Sequence, residues 1–480
     1  MLFNSFEFLL FFPVVFLLYW FVFQKHLKAQ NAFILVTSYV FYGWWDWRFL
    51  GLIAFSSLVD YWTGLKLGQE EETFKRKVYL GISLGVNLGL LGFFKYFNFF
   101  IDSTIQAINA LGFQANEYSL QLILPVGISF YTFQTMSYTI DIYRKQIQPT
   151  KDPVAFFAYV SFFPQLVAGP IERASNLLPQ FFKHRVFNYT KAMDGMRQIL
   201  WGFFMKMVIA DNCAVFVDQA FKNPESQPGI NLLIGAVFFS FQIYGDFGGY
   251  SNIAIGTGKL LGFDLMRNFA YPNFSRDIAE FWRRWHISLS TWFRDYVYIP
   301  LGGSRVSRGL AIRNIFIIFL VSGFWHGANW TFIVWGGLNA IYFLPLYLSK
   351  KNRINTDLVA ENTMLPSLKE FTQILITFLL TTLTWVFFRS PDVSFAIDYL
   401  FGLFSIDLFS MPQMNMRVYL FAGIVLFFVI MEWMGRKHDF AIQKMAFAKP
   451  AIYRYGLYYS LVMIVFLFAR RSQEFIYFQF

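Results

Sequence analysis

Residues 313–350 read RNIFIIFLVSGFWHGANWTFIVWGGLNAIYFLPLYLSK, so 36 residues without a formal charge lie between Arg313 and Lys350. Tyrosines aside, the one ionisable side chain in the run is His326. As a single helix the run would be about 54 Å long, nearly twice a hydrocarbon core of about 30 Å. It must break or turn, and Gly323, Gly327, Gly336 and Gly337 offer the places. With Arg313 taken as an interfacial anchor, His326 lies 13 residues in, or about 20 Å along a helix. An ionisable group at that depth is costly unless it faces a polar cavity, and is read as functional for that reason. The bland alternative is a histidine sharing a hydrogen bond between packed helices.

The whole chain has the same character. Of 480 residues 56% are hydrophobic and only 14% charged, with 64 Phe, 26 Tyr and 14 Trp, where a soluble domain carries about 25% charged residues. Charge-poor stretches near 7–23, 31–65, 78–101, 120–140, 154–171, 198–221, 230–255, 310–349, 371–388, 417–434 and 455–469 predict roughly ten to thirteen membrane-embedded helices. The chain is therefore expected to be an all-α polytopic membrane protein, a single membrane-embedded domain over 1–480. The run Phe8–Phe23 lacks a basic leader and reads as a retained anchor. Lys25 and Lys28 put the first loop inside the cell. Lys75, Arg76 and Lys77 also belong inside, which makes residues 31–65 a hairpin turning near Trp44, Asp46 and Arg48. The formal charge of +11 suits cytoplasmic loops and anionic lipid headgroups and gives no reason to expect nucleic acid. One cysteine, Cys213, leaves no intramolecular disulfide and no cysteine-built metal site, and no metal is expected.

Charge is unusually distributed from Arg267 to Arg313, which holds eight Arg, no Lys and three acids, Asp277, Glu280 and Asp295. Guanidinium offers a flat fork of donors suited to phosphate or carboxylate. Trp282, Trp285, Trp292, Tyr296 and Tyr298 add the aromatics favoured at a membrane interface. The segment reads as an interfacial platform, either snorkelling toward headgroups or holding a phosphate. It contains a second histidine, His286. Around His326, Ser322 and Asn329 stand at i−4 and i+3, where all three would share one helical face. His26, His184 and His438 lie beside Lys or Arg in loops and receive no role. There is no phosphate-binding G-x-x-x-x-G-K-[ST] loop, no G-x-S-x-G elbow and no H-E-x-x-H pair.

Three segments carry a family resemblance. They are Gln242-Ile-Tyr-Gly-Asp246-Phe-Gly-Gly-Tyr250-Ser251, then Phe281-Trp-Arg-Arg-Trp-His286-Ile-Ser-Leu-Ser-Thr-Trp-Phe-Arg294-Asp295-Tyr-Val-Tyr-Ile-Pro300-Leu-Gly-Gly, and Gly323-Phe-Trp-His326-Gly-Ala-Asn329-Trp330. In these the chain resembles the membrane-bound O-acyltransferase family, in its bacterial alginate O-acetyltransferase branch. Met1-Leu-Phe-Asn-Ser and Pro125-Val-Gly-Ile-Ser-Phe-Tyr through Ala168-Gly-Pro170 extend the likeness, which covers about 330 residues, the last 130 agreeing only in hydropathy.

The resemblance implies a ring of tilted transmembrane helices around a central tunnel. It implies His326 as the catalytic histidine and His286 as the second functional one, supported by Ser322, Trp325, Asn329 and Asp295. Arg283, Arg294 and Arg284 are the expected contacts for donor phosphates. No cofactor is implied; the donor would be acetyl-CoA or another cytoplasmic acyl thioester. His326, with an ordinary pKa of about 6.5, would act as general base toward a hydroxyl of an exported polysaccharide such as alginate, directly or through a periplasmic or exported acetyltransferase partner. The place would be the cell inner (cytoplasmic) membrane. Alternatives are transfer of D-alanyl or another acyl group to teichoic acid or peptidoglycan and, from another class, a lipid-linked-sugar transporter or a structural scaffold.

Overall fold

A computed structural model describes residues 1–115, 120, 122–469 and 475–476. Every regular element among the described residues is a helix, and eight of them are long and apolar enough to cross a membrane. Phe6–Val22 and Val393–Leu403 are shorter apolar helices. The count falls below ten to thirteen for a physical reason. The stretch at 31–65 folds as Leu27–Gly43 and Leu50–Gln69, whose buried faces carry Gln30, Asn31, Ser56, Ser57 and Asp60. The stretch at 120–140 starts beside residue 121, which lies outside the described residues, and yields only the 16-residue helix Ile128–Tyr143. That at 154–171 is cut into Pro153–Ser161 and Phe163–Leu166.

The chain packs as two compact units, residues 1–192 with 258–266 and residues 193–257 with 267–480. In the first, Leu27–Gly43 and Leu50–Gln69 turn over at Trp44 to Phe49, where Asp46 accepts the Arg48 backbone N–H at 3.0 Å. Helix Ile128–Tyr143 is buried almost all round, as expected of a helix at the centre of its unit. Its Thr135 donates to Asn87 (3.1 Å), and Asn87 donates to the Asp60 carboxylate (2.8 Å). Where no water reaches the backbone or side chains, such internal pairing is obligatory.

In the second unit the uncharged run becomes two antiparallel helices, Arg308–His326 and Trp330–Leu348. The break falls at Gly327–Ala328–Asn329, with Gly327 extended at φ −160°. Gly323 and Gly336 are not breaks but contact points. A Cβ on Gly323 would stand 2.2 Å from the Phe332 carbonyl oxygen, and one on Gly336 2.4 Å from that of Phe319. Small residues let membrane helices approach this closely. Beside the pair runs Leu368–Arg389, opened by a capping box in which Ser367 and Glu370 bond each other's backbone. The 32-residue helix Gly229–Leu260 carries Asp246, which with Asp211 holds the buried Lys206 ammonium at 2.8 Å each; charges inside a membrane are expected to pair in this way.

Candidate active site

His326 is the last residue of its helix and is 3% exposed. Counting 18 rises from Arg308 puts it about 27 Å along the helix, so it closes a span rather than interrupting one. Aromatic rings enclose it: Trp325 at 4.9 Å between ring centres, Trp335 at 5.1 Å and Phe388 at 5.3 Å. His286, forty residues earlier, lies with its ring centre 6.4 Å away. Trp325 packs on both histidines, 6.1 Å from His286. An imidazole nitrogen sits about 1.2 Å from the ring centre, so no two nitrogens can be closer than about 4 Å, too far for a direct hydrogen bond.

His286 reaches this place because the chain makes a left-handed step there. Its φ is +42° at the head of the short helix Ile287–Phe293. Non-glycine residues held in that region cluster at functional sites. The ring is wedged against Phe247 at 4.6 Å, and its Nδ1 lies 3.0 Å from Asn268 Oδ1. Burial pushes the imidazole down to about 3, so His286 is neutral at any physiological pH.

Two cavities flank the histidines at opposite ends of the helical pair. One of about 640 Å³ lies toward the Arg313 and Lys350 end; its wall includes Ser322, Trp282, Tyr347 and three guanidinium groups, Arg283, Arg294 and Arg353. The other, of about 930 Å³, lies at the turn, between Asn329, Phe332, Phe388, Arg389, Asp218 and Lys222. Phe388 separates His326 from the second cavity. Trp335, stacked edge-on against Trp282 at 5.6 Å, stands toward the first.

The expected residues distribute unequally over this site. His286, His326 and Trp325 come together. Ser322 shares the His326 helix and lines the first cavity. Asn329 does not share that face, because the helix ends at His326. It caps the next helix instead, accepting the Thr331 backbone N–H at 3.0 Å and donating to the Pro391 carbonyl at 2.7 Å. Asp295 pairs at 2.7 Å with Arg294, which lies on the wall of the first cavity.

Of the three expected phosphate contacts, Arg283 and Arg294 line the 640 Å³ cavity and Arg284 does not. The Arg284 fork is occupied by the buried Glu280 carboxylate at 2.7 Å and the Ala270 carbonyl. Arg276, on the other side of Glu280, is occupied in the same way. Arg283 is held by the carbonyls of Asn352 (2.9 Å) and Asn355 (2.7 Å) while still facing the cavity. Sequence reading missed Arg353, Trp335, Phe388 and Asn268. Only Arg353 left a signal, as the first arginine after the uncharged run returns to the arginine-rich end.

Comparison with known proteins adds chemistry to this geometry. The model of the MBOAT, membrane-bound O-acyltransferase family, matches residues 145–353, which span both histidines. A protein of Pseudomonas aeruginosa named probable alginate O-acetylase is 40% identical over 417 residues, covering 86% of this chain and 77% of that one. The peptidoglycan O-acetyltransferase of Helicobacter pylori is 36% identical over 437 residues, 85% and 80% of the two chains. The teichoic acid D-alanyltransferase of Streptococcus thermophilus is 32% identical over 249 residues, 48% of this chain and 59% of its own.

Proposed function

Because the chain belongs to the membrane-bound O-acyltransferase family and is a membrane-bound acyltransferase, we propose that it moves an acetyl group from a cytoplasmic thioester to a hydroxyl of an exported polysaccharide. The observation that carries this reading is the pair of histidines, 6.4 Å apart, between a guanidinium-lined cavity and a second cavity at the other end of the same helical pair.

The first cavity suits the donor. Arg283, Arg294 and Arg353 match the phosphates of acetyl-CoA, and Ile315, Ile318 and Phe319 continue the cavity as an apolar wall toward Ser322. The charge rule supports a cytoplasmic position for this end, since Arg305, Arg308, Arg313, Lys350, Lys351 and Arg353 gather there. The second cavity, with Asn329, Ser390, Asp218 and Lys222 among aromatic rings, suits a hydroxyl-rich acceptor or an exported partner that relays the group. The membrane would be the cytoplasmic one. The acceptor oxygen attacks the thioester carbonyl carbon, a C–O bond forms and the C–S bond breaks. His326 takes the hydroxyl proton as general base and returns it to the departing thiolate, with His286 on the donor side next to Ile287 of the cavity wall.

Acetyl ester content tests the reading, measured on both exported polysaccharide and peptidoglycan from wild type, a deletion strain and His326→Ala, with variant abundance checked by immunoblot. Loss of esters in both mutants with the variant abundant is expected. Retention of esters in His326→Ala would remove the histidine from the chemistry, and unchanged esters in the deletion strain would remove both acceptors.

A further inference from the structure

We propose that Asn268 is a positioning residue that fixes His286 in one tautomer, with the proton on Nδ1 and the lone pair on Nε2, so that His286 enters acyl transfer as a hydrogen-bond acceptor. The inference rests on the reading of His286 as part of the acyl-transfer site.

Asn268 is fully buried. Its Oδ1 receives the Ser288 hydroxyl at 3.0 Å and faces the Ser288 backbone nitrogen at 3.4 Å. A backbone N–H can only donate, so the amide atom it meets is the oxygen. In that orientation the amide nitrogen at the other end donates to Ser251 Oγ at 3.1 Å. An oxygen facing His286 Nδ1 at 3.0 Å requires the ring hydrogen to be on Nδ1. A neutral imidazole carries one such hydrogen, leaving Nε2 as an acceptor. The backbone carbonyl of Asn268 also receives the Ile287 N–H at 2.8 Å, so one residue grips His286 through the ring and through the chain that follows it.

The choice of an amide matters. A carboxylate at this position would favour the imidazolium, whereas an amide orients the ring without stabilising its charge. Phe247, Phe269 and Trp325, which pack on the His286 ring, are uncharged, and His326 is a titratable group beside it. A neutral His286 locked this way can accept a proton or hydrogen bond at Nε2 but cannot donate one from it to a developing oxyanion. The two histidines therefore hold different roles that cannot be exchanged.

The test is thiol release from acetyl-CoA by the purified full-length protein in lipid nanodiscs, with de-acetylated alginate oligomers as acceptor, from pH 5 to 9. Wild type, Asn268→Asp, Asn268→Leu and His286→Gln are compared at equal amounts of monodisperse protein. The expected result has three parts. His286→Gln loses transfer. Asn268→Leu lowers kcat at least about tenfold with KM for acetyl-CoA unchanged. The near-isosteric Asn268→Asp moves the acid limb of the kcat profile upward by at least about one pH unit. An Asn268→Asp profile that superimposes on wild type, while His286→Gln is inactive, overturns the inference and leaves the site reading standing. An active His286→Gln removes the site reading and the inference with it.

Discussion

Gly323 faces Phe332 across the helical pair so closely that a methyl group on it would overlap the Phe332 carbonyl oxygen, at 2.2 Å. The backbone on the far side cannot yield as a flexible side chain would, because it belongs to the helix that Asn329 caps. Gly323→Ala is expected to cost about 1–3 kcal/mol by forcing the two helices apart, read as a lower thermal midpoint in detergent. It should also displace His326, one turn further on, and lower acyl transfer. A wild-type midpoint would mean that the helices can separate freely at this contact.

Arg283 and Arg353 should each act on the donor's phosphates. Replacing either with Ala is expected to raise KM for acetyl-CoA about tenfold, the loss of one charge-assisted hydrogen bond. KM for S-acetylpantetheine, which has no phosphate, should stay at its wild-type value. An equal rise for both donors would show that the arginines shape the cavity rather than bind phosphate.

Arg276, Glu280 and Arg284 should behave differently, because Glu280 is 1% exposed and bridges both guanidinium groups. Glu280→Ala takes the only paired carboxylate from Arg284 among the described residues and leaves Arg276 to Asp357 and Glu370, a loss of about 3 kcal/mol. The variant should fail to accumulate in the membrane, as judged by immunoblot. Normal accumulation with altered KM would instead assign Glu280 to the donor cavity.

His286 predicts an acid sensitivity of the fold. Burial lowers its pKa to about 3, against about 6.5 in the unfolded chain. Between these values the unfolded state binds the extra proton, so stability is complete above pH 6.5 and falls as pH drops below it. The loss at pH 5 is about 2 kcal/mol. Thermal midpoints at pH 7 and pH 5 should differ by more in wild type than in His286→Gln, which cannot take up that proton. Equal differences would mean that His286 is hydrated or paired when protonated.

Much of this was legible in the chain. The 36-residue uncharged run required a turn, and the turn is present, since helix length is fixed by the membrane. That both His286 and His326 take part came from the family motifs alone, and their proximity was not foreseen, since no spacing connects residues forty apart. Asn329 was misplaced because i+3 periodicity assumes a helix that continues past Gly327. Arg284 looked like Arg283 in sequence, and only the fold shows that Glu280 and Ala270 occupy its donors. Asn268 carried no pattern at all: its role depends on a left-handed residue at His286 bringing a ring against a loop eighteen positions earlier.

The rings around His326 have a consequence for the cell's energy economy. A protein with a polar cavity at each end of the same helices is one connected water file away from being an ion leak. Phe388 closes the approach from the turn, and Trp335, Trp385 and Trp282 stack toward the arginine-rich side. A hydrated sodium ion would enter such a stack only at a large desolvation cost. An acyl group is neutral and apolar and meets no such barrier. The same aromatic plug that confines the reacting atoms can thus let chemistry cross while the membrane voltage holds.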